Sequence, residues 1–553
     1  MPSRRSFIII SFVAVSLLVL LYTSRRLGSW TYDEAYPPHP HSDPHKSQHA
    51  PQGQPNGKTQ QHDPYDDDYP TNYTDVKTVH VPQDEPSKLA ADPLCEGFPD
   101  TSKILLVMKT GASESFARVP TQMMTMLRCL PDYLIFSDMA QDIGGEHIYD
   151  SLDTVLPQAM EGNSDFDLYR RQKWCQVDQE NCNKLGNPAK EGWNLDKYKN
   201  VHIAEKTFKM RPNYDWYLFV DADTYVLWPG IVEWTKKLNP SKKVYLGSVT
   251  LINNYGFGHG GSGYMVSKAA MAQFVGGDKK VGNKWDERAH NECCGDYIFS
   301  MALEKETGVR VQQMVCVLPS LHSFCFLLSS QAPGPWRQRH WRSSLQNSAN
   351  NRNLQWPTIN GEKPATLPFG PNHWCHPIVT MHHMNAEEIN AFWQFERKRM
   401  VAESRAGRPL RPIVIRDIFD EFLKPKLTET REDWDNAADN IYYLDLSDPK
   451  HKWEDWQINR MKSKEKLNDL EKKAHLSFKD CAAACKSVGV NECFQYRYQG
   501  GACSFSKAFL LGKPVRKAEH DKDRIYSGWD VDKIKKWIGE QKPCDEIRWP
   551  QVH

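Results

Sequence analysis

The chain has 553 residues, and its 70 Lys and Arg nearly balance its 69 Asp and Glu, which leaves a formal net charge of +1 at pH 7. This balance argues against a nucleic-acid partner, because phosphate recognition depends on a clear basic excess. The 14 cysteines are numerous near the carboxyl end and show no convincing zinc-site spacing. They predict disulfides formed in an oxidising compartment.

The first element is an apolar segment at residues 6–23, which carries no charge and would span about 27 Å as a helix. Arg25 and Arg26 follow without a small-residue cleavage site, so an uncleaved signal anchor is favoured over a cleaved signal peptide. Both flanks are basic and leave the orientation open. The simplest topology is type II, with residues 1–5 as a cytoplasmic tail and the folded mass in the lumen.

Residues 24–94 form the next segment, which is rich in Pro, His, Gln, Asp and Gly and poor in aliphatic side chains. Such a composition cannot bury enough apolar surface to offset the entropy of ordering, so it predicts a disordered stem. The glycosylation sequon Asn72-Tyr73-Thr74 fits a luminal location for this stem.

From Lys103 onward, the sequence alternates between strand and helix patterns. Lys103–Lys109 and Tyr133–Asp138 are largely apolar runs that predict buried strands, and a helical pattern lies between them. The alternation predicts an α/β fold with a parallel sheet, in which ligands bind at the carboxyl ends of the strands. Thr110 and Asp138 would lie on that edge.

The most informative run is Tyr217–Trp228, with the sequence YLFVDADTYVLW. Its two acids, Asp221 and Asp223, interrupt an apolar strand pattern, and buried carboxylates are costly unless they are paired or hold a cation. Hard divalent cations prefer carboxylate oxygens and often share them with substrate phosphates. The run therefore predicts a metal–diphosphate site, with a strand end that turns in solvent as the alternative.

A glycine-rich segment, Gly256–Ser267, follows a further predicted strand at Val244–Gly247. Five glycines within eight residues indicate tight turns and a close backbone approach to a neighbour. We expect either a loop that lines a sugar pocket or a flexible hairpin. The segment lacks Gly-Lys-Ser/Thr and is not a P-loop.

The motifs DADTYV, YLGS and GHGGSGYMVSKAAM occur in an order and spacing that resemble those of the Fringe-like β-1,3-glycosyltransferases. The nearest resemblance is to the core 1 β-1,3-galactosyltransferases and their fungal relatives, over about Lys103 to Arg399. It implies a GT-A-type nucleotide-sugar transferase domain, assigned to residues 95–400, with a mixed and mainly parallel sheet. It also implies a UDP-sugar donor, Mn²⁺ as the cofactor, and inversion at the anomeric carbon.

The same resemblance implies roles for individual site residues. Asp223 matches the metal-binding Asp of the family, and Asp221 matches its companion acid near the ribose or the metal. Ala222 stands where many members have a third Asp, which is a departure from the pattern. The other positions expected to line the nucleotide-sugar site are Thr110, Asp138, Gly260 and Gly261.

Asp296, in the motif HNECCGDYIFSMAL, falls where the family has the Asp of a Glu-Asp pair, the proposed general base, although Gly295 replaces the Glu. An inverting transfer needs a base to deprotonate the acceptor hydroxyl. Val379–His383 resembles the strand that supplies a histidine metal ligand, and we favour His382 over His383. The alternatives are that Asp296 caps a helix and that His382 is a core histidine.

Two cysteine pairs and one insertion complete the transferase region. Cys175 and Cys182 flank a short loop and could pair, and the adjacent Cys293 and Cys294 are expected to be disulfide partners rather than a redox site. Residues 315–353 have no clear period, which is unusual for a long loop within a compact domain. We interpret them as a translated intron or a lineage-specific insertion.

Residues 401–474 are charged and include Gln457–Lys473, which predicts a polar connector helix. Residues 475–553 carry a cysteine series and a Phe-x-Tyr-x-Tyr strand, and they resemble a small disulfide-rich α+β PAN/Apple domain. The resemblance implies the pairings Cys481–Cys503 and Cys485–Cys493. It suggests acceptor capture, with a purely structural module as the alternative.

These features together predict a single-pass type II protein of the Golgi membrane, with the ER as the alternative location. It would transfer a hexose, with galactose favoured, from UDP to a hydroxyl of a glycan or glycoprotein, in a β-1,3 linkage. One alternative is an N-acetylglucosaminyltransferase of the same family. The other is a non-catalytic glycan-binding or chaperone-like pseudoenzyme that uses the PAN/Apple domain.

Overall fold

The computed structural model describes residues 92–175, 178–277, 279–313, 358–371, 373–447 and 452–550. The predicted signal anchor at 6–23, nearly all of the stem at 24–94, and the insertion at 315–353 lie outside these ranges. No helix within the described ranges has the length and the apolar character that a membrane span requires.

The strands are numbered in chain order. They are β1 (Ile104–Lys109), β2 (Tyr133–Ser137), β3 (Gln141–Ile143), β4 (Glu146–Asp150), β5 (Trp216–Asp221), β6 (Tyr225–Val226), β7 (Tyr245–Gly247), β8 (Val249–Ile252), β9 (Tyr255–Gly258), β10 (Tyr264–Ser267), β11 (Gln312–Gln313), β12 (Thr380–Met381), β13 (Thr430–Glu432), β14 (Trp434–Asp435), β15 (Ile441–Tyr443), β16 (Gln495–Gln499), β17 (Ala502–Ser506), β18 (Lys513–Pro514) and β19 (Tyr526–Trp529).

The α-helices are numbered in the same way. They are α1 (Ser115–Met124), α2 (Pro157–Met160), α3 (Asp167–Trp174), α4 (Gln179–Asn183), α5 (Pro188–Asp196), α6 (Lys199–Met210), α7 (Trp228–Thr235), α8 (Lys268–Val275), α9 (Asp286–Ala289), α10 (Gly295–Thr307), α11 (Ala386–Arg405), α12 (Ile415–Ile418), α13 (Asp455–Ile458), α14 (Phe478–Ser487) and α15 (Val531–Gly539).

The central sheet has eight strands in the order β11-β7-β10-β5-β1-β2-β4-β3. β1 pairs in parallel with both β2 and β5, β2 pairs in parallel with β4, and β7 pairs in parallel with β11. The other pairings of this sheet are antiparallel. The predicted α/β fold with a mixed, mainly parallel sheet is therefore confirmed.

The position of β1 within the sheet explains why almost every residue of this strand is apolar. Its side chains alternate between the two faces of the sheet, so Leu106 and Met108 join one apolar cluster whereas Leu105 and Val107 join another. Side chains of α1 and α11 complete the first cluster, and side chains of α6, α8 and α10 complete the second. A sheet covered on both faces needs strands that are apolar on both faces.

A second sheet, in the order β13-β19-β16-β17-β15, forms the carboxyl-terminal module. Disulfides join Cys481 to Cys503 and Cys485 to Cys493, so the pairings implied by the resemblance are confirmed. All four cysteines are buried in one apolar cluster, where they fasten α14 to the sheet. The remaining disulfides among the described residues are Cys95–Cys129, Cys175–Cys182, Cys293–Cys294 and Cys375–Cys544.

The segment predicted as a connector, residues 401–474, contributes directly to this second sheet. It supplies the two edge strands β13 and β15, so the sheet extends across the boundary that we predicted at residue 475. Each of these edge strands is only three residues long, and so short a run gives a weak sequence signal.

The polar helix predicted over Gln457–Lys473 is wrong. Helix α13 ends at Ile458, and two 3-10 turns, Lys464–Lys466 and Glu471–Lys473, follow it. The segment has no apolar stripe that a helix could bury. It is held instead by the buried carboxylate of Glu471, which accepts hydrogen bonds from the Tyr443 hydroxyl and the Lys462 ammonium, each at 2.7 Å.

The carboxyl-terminal module shares a core with the module built on the central eight-stranded sheet. Phe369 and Phe509 form a β-bridge between the two modules. Trp537 of the carboxyl-terminal module belongs to the same apolar cluster as Leu106 of the central sheet. The disulfide between Cys375 and Cys544 closes a separation of 169 residues. A covalent bond and a shared core make this module a fixed part of the structure rather than a tethered appendage.

A buried acid in α11 gives a prediction for stability against pH. Glu396 is 2% exposed and accepts a hydrogen bond from the Tyr225 hydroxyl at 2.7 Å. Burial raises its pKa from 4.5 to about 7, although Tyr225 and Arg399 partly oppose the rise. Between pH 4.5 and 7, Glu396 therefore stays protonated in the folded state although it has lost its proton in the unfolded state. Its contribution to the free energy of unfolding falls as the pH rises through that range.

We expect Glu396→Gln to remove this dependence, because the amide is neutral throughout and still accepts from Tyr225. The difference in free energy of unfolding between the variant and the natural chain should grow by about 3 kcal/mol in favour of the variant from pH 4.5 to pH 8. Urea unfolding of both proteins at the two pH values measures this difference. Subtracting the free energy of unfolding of one protein from that of the other removes the contributions of all groups that titrate equally in both. An equal difference at both pH values would contradict the prediction.

Candidate functional site

Parallel strands bring polar residues together at one edge of the central sheet. β1 ends at Lys109 and β5 ends at Asp221, and the strand register places these two residues side by side. Lys109 Nζ lies 3.3 Å from Asp221 Oδ1 as a direct result. β2 ends one residue before Asp138, so this acid lies at the same edge, where ligands bind in open α/β sheets.

A short antiparallel pairing of β6 with β12 brings two histidines from far along the chain to the Asp-x-Asp turn. Its register pairs Met381 with Tyr225, so the residues that follow Met381 lie beside Asp223. His382 Nε2 is 3.1 Å from Asp223 Oδ1. One possible ligand atom from each of Asp223, His382 and His383 lies within 4.8 Å of the others.

This donor set suits a divalent cation. One carboxylate with two imidazoles is an acceptable set for Mn²⁺ and for other first-row metals. Nδ1 of His382 is buried without a hydrogen-bond partner. His383 has a φ of +60°, in a left-handed region that is costly for a non-glycine residue and that is enriched at functional sites. Residues Asp223, His382 and His383 are called the Asp-His-His cluster below.

The electrostatic environment keeps Asp223 ionised. Burial alone would raise its pKa, but the hydrogen bond and charge of His382, together with the guanidinium of Arg118, lower the pKa overall. Arg118 Nη1 lies 3.9 Å from Asp223 Oδ2. A carboxylate that stays charged in a partly buried position is the form that a metal ion requires.

The glycine-rich segment forms a tight turn between β9 and β10. β9 forms a hairpin with β8, and β10 pairs with β5 and β7 in the central sheet, so only the first three residues of the segment belong to a hairpin. The N–H of Gly263 donates to the carbonyl of Gly260 at 2.9 Å, and Gly263 has a φ of +87°. A Cβ on Gly261 would overlap the imidazole of His382. The turn therefore needs glycine because its backbone packs against the Asp-His-His cluster.

Asp296 lies in the first turn of α10 and contacts the same glycine turn. Its Oδ2 accepts a hydrogen bond from the Gly260 N–H at 2.7 Å, and its Oδ1 accepts one from the Tyr297 N–H at 2.8 Å. Burial raises the pKa of Asp296, and His259 and these two amides offset the rise only in part. A raised pKa increases the proton affinity of a carboxylate, which suits a general base.

Both departures from the family pattern have packing reasons. A Cβ at Gly295 would lie 2.6 Å from Asn200 Oδ1 and 2.8 Å from the carbonyl oxygen of Asp196, so the helix pair α5–α6 leaves no room for a Glu there. The methyl group of Ala222 is 3% exposed and belongs to the apolar core. An acid at position 222 would be buried among apolar side chains.

An ion network lies beneath the sheet edge. Lys109 Nζ is 2.5 Å from Asp196 Oδ2, and Lys199 Nζ is 3.4 Å from Asp196 Oδ1. Lys199 also donates to the carbonyl of Thr110 at 3.1 Å and lies 3.9 Å from Asp138 Oδ2. Burial alone would lower the pKa of Lys109, but the neighbouring carboxylates outweigh it and raise the pKa. Lys109 is therefore a fixed cation of the site.

The predicted site residues separate into two groups. The structure brings together Asp223, His382, Asp296, Gly260 and Gly261 around the glycine turn. The remaining predicted positions at the sheet edge are Thr110, Asp138 and Asp221.

Two of the three sheet-edge residues are buried. Thr110 is 4% exposed and Asp138 is fully buried, with its Oδ1 accepting from the N–H of Ala112. Asp221, predicted as a metal ligand as well, forms an ion pair with Lys109 and lies outside the Asp-His-His cluster. His383, which we ranked below His382, belongs to that cluster.

Four residues of the site with permanently charged side chains were not predicted from the sequence: Lys109, Arg118, Asp196 and Lys199. Lys109 had a usable signal, because a lysine that ends a buried strand at a ligand-binding edge needs an acidic partner. Asp196 and Lys199 are three residues apart across a helix boundary and gave no signal alone. Arg118 lies on the amphipathic helix α1, where a solvated charge is the ordinary expectation.

His259 was also missed, although it directly precedes Gly260. Its Nδ1 is 2.8 Å from the Ser262 hydroxyl, and its ring centroid is 5.7 Å from that of His382. Burial lowers its pKa, although the carboxylate of Asp296 opposes this effect. His259 is therefore in electrostatic contact with both His382 and Asp296.

A family profile described as Fringe-like matches residues 102–332. Members of this family are glycosyltransferases, so this part of the chain is similar to a glycosyltransferase family. The match includes β1, β5, the glycine turn and α10, and it ends before β12, which carries the two histidines. A search of curated proteins found no match to the chain.

Proposed function

We propose that this chain is an inverting, metal-dependent glycosyltransferase that moves a hexose, with galactose favoured, from a UDP-sugar to a hydroxyl of a glycan. The observation that supports the proposal is that consecutive glycines of one turn contact the candidate base and the candidate metal-ligand set. Gly260 hydrogen bonds to Asp296, and Gly261 packs against His382. An inverting transfer needs both groups within reach of one sugar.

Asp296 would accept the proton of the attacking hydroxyl. It is anchored by two backbone amides, so the carboxylate is held in one orientation. Its raised pKa brings its proton affinity closer to what deprotonation of an alcohol requires. His259 lies near it, and its charged form would oppose the rise in the pKa of Asp296.

The Asp-His-His cluster would hold Mn²⁺. When bound, the ion supplies positive charge to the diphosphate, which becomes more negative as the sugar leaves. Asp221, Thr110 and Asp138 are proposed to line the nucleotide site, with Asp221 kept in place by Lys109. This arrangement leaves a single carboxylate, Asp223, as the acidic metal ligand.

The finer features of the proposal rest on the resemblance and on the sequence pattern. They are a β-1,3 linkage, a PAN/Apple-type carboxyl-terminal module that helps to capture the acceptor, and a type II signal anchor at residues 6–23 that holds the protein in the Golgi membrane. An N-acetylglucosamine donor is the nearest alternative to galactose.

The first test is UDP release by the full chain in detergent, with Mn²⁺ and a panel of UDP-sugars, in the presence and absence of EDTA. We expect one donor to release UDP, and we expect EDTA to abolish the release. Calorimetric titration with UDP and Mn²⁺ provides a second measurement that needs no acceptor. A chain that neither releases UDP nor binds UDP–Mn²⁺ is not a UDP-sugar transferase.

A further inference from the structure

A small crevice lies between α6 and the central sheet, next to the glycine turn. Its polar lining consists of Lys109, Asn200, Asp221, Gly260 and Tyr264, and the rest of the lining is apolar. It has room for a single hydroxyl group or water molecule. The crevice joins the two groups of predicted site residues, because Asp221 belongs to the sheet edge and Gly260 belongs to the glycine turn.

Asn200 supplies an unused hydrogen-bond acceptor beside this crevice. The residue is 3% exposed, and its Nδ2 donates to the Tyr264 hydroxyl at 3.2 Å. Its Oδ1 has no hydrogen-bond partner among the described residues. A buried amide oxygen without a partner is both rare and costly in folded proteins. We therefore expect a group from outside the chain to donate to it.

The same amide lies close to the candidate base. A Cβ on Gly295 would lie only 2.6 Å from Asn200 Oδ1, and Gly295 directly precedes Asp296. Asp296 in turn accepts a hydrogen bond at 2.7 Å from the N–H of Gly260, which lines the crevice. A ligand group that reaches the Asn200 amide is therefore held near the carboxylate of Asp296.

The charges around the crevice favour a neutral hydroxyl group over a phosphate. Lys109 Nζ lies 2.5 Å from Asp196 Oδ2 and 3.3 Å from Asp221 Oδ1, so its positive charge is already balanced by carboxylates. A hydroxyl group can donate to an amide oxygen and accept from an ammonium group at the same time. The ionised oxygens of a diphosphate have no proton to donate to Asn200 Oδ1.

We propose that Asn200 binds a hydroxyl group of the donor hexose and thereby contributes to the choice of donor sugar. The inference rests on the proposed function and adds a residue that contacts the sugar rather than the nucleotide or the metal. The transferred sugar must lie between the diphosphate and the base, and the crevice lies between Asp221 and the turn that contacts Asp296. A buried site that hydrogen bonds one hydroxyl group rejects a sugar that lacks it, because the amide is then left unpaired.

The test measures the affinity for the sugar separately from the affinity for the nucleotide. The full chain in detergent with Mn²⁺ is titrated calorimetrically with UDP, UDP-galactose, UDP-glucose and UDP-N-acetylglucosamine. Asn200→Leu has nearly the same shape as the natural side chain but no polar atom. We expect it to weaken the Kd for at least one UDP-sugar by about tenfold and to keep the Kd for UDP within about twofold.

Two further variants complete the comparison. Asn200→Asp keeps an acceptor oxygen in the same place, so its Kd for that UDP-sugar should stay within about threefold of the natural value. Asn459→Leu replaces an exposed asparagine that follows α13, and it should bind like the natural chain. If Asn200→Leu does not fold, Asn200→Ala takes its place, because it removes the amide without adding an apolar group.

Deoxy donors identify the hydroxyl group and separate binding from a structural role. UDP-sugars that each lack one hydroxyl of the hexose are titrated into the natural chain and into Asn200→Leu. We expect one of them to bind the natural chain about tenfold more weakly than the intact donor and to bind both proteins equally, because the amide and that hydroxyl form one hydrogen bond. A purely structural role of Asn200 predicts the same loss of affinity for every donor, UDP included.

Two results would overturn the role of Asn200: an unchanged Kd for every UDP-sugar in Asn200→Leu, or a loss of affinity for UDP as large as the loss for the UDP-sugars. Intact UDP–Mn²⁺ binding with either result rejects only the sugar-binding role and leaves the proposed function standing. A natural chain that binds neither UDP nor any UDP-sugar rejects the transferase as well. Thermal unfolding of each variant identifies any loss that is due to misfolding.

Discussion

Replacement of Asp223 by Asn is expected to reduce metal-dependent turnover of the UDP-sugar by about a thousandfold. Asp223 is the only carboxylate in the Asp-His-His cluster, so the variant would hold the cation with two neutral imidazoles and an amide. Loss of the charge should raise the metal concentration needed for half-maximal activity and remove several kcal/mol of stabilisation at the diphosphate. The Asn oxygen can still accept a hydrogen bond from His382, so the fold should be kept.

The measurement is UDP release against Mn²⁺ concentration, together with calorimetric titration of UDP and Mn²⁺. Asp142→Asn is a suitable control. The side chain of this acid is 79% exposed, and it lies on β3, an edge strand of the central sheet. The control should behave like the natural chain. An Asp223→Asn variant with a normal metal requirement and normal turnover would show that the cluster does not hold the catalytic cation.

Replacement of Asp296 by Asn is expected to have the second large effect on activity. We expect the rate of sugar transfer at saturation to fall by about 10² to 10⁴-fold, which is the range for loss of a general base. Asn preserves the shape, and its oxygen can keep the hydrogen bond from Gly260. The affinity for UDP–Mn²⁺ should therefore change little, which separates this variant from Asp223→Asn.

Single-turnover transfer and UDP–Mn²⁺ titration together measure these two effects. Glu306→Gln gives a matched control on the same helix, because Glu306 is in the last turn of α10, where it pairs with Lys284 and Lys279. Because burial raises the pKa of Asp296, the natural chain should lose activity on acidification at a pH above that of an ordinary aspartate. Full transfer activity in Asp296→Asn would remove this residue from the role of base.

The sequence determined much of the transferase fold. Strand β1 and the strand that ends in Asp221 are apolar at nearly every position because helices cover both faces of the sheet, and this pattern is visible locally. The pairings Cys481–Cys503 and Cys485–Cys493 followed from a resemblance in spacing, and the structure confirms both. Asp223 and the glycine turn were also predicted, because acids and clustered glycines are unusual within apolar runs, whereas Asp296 was implied by the family resemblance.

Only the tertiary structure decided which of these residues act together. His383 joins Asp223 because β12 pairs with β6 across more than 150 residues of chain, and no local pattern encodes a two-residue strand pairing of that range. Asp221 pairs with Lys109 rather than with the cluster because adjacent parallel strands fix its neighbour by register. Gly295 replaces an acid because α5 and α6 occupy the space. The sequence by itself thus determined the residue types and the strand polarity, whereas long-range packing decided the partners, since contact distances depend on elements that are distant in the chain.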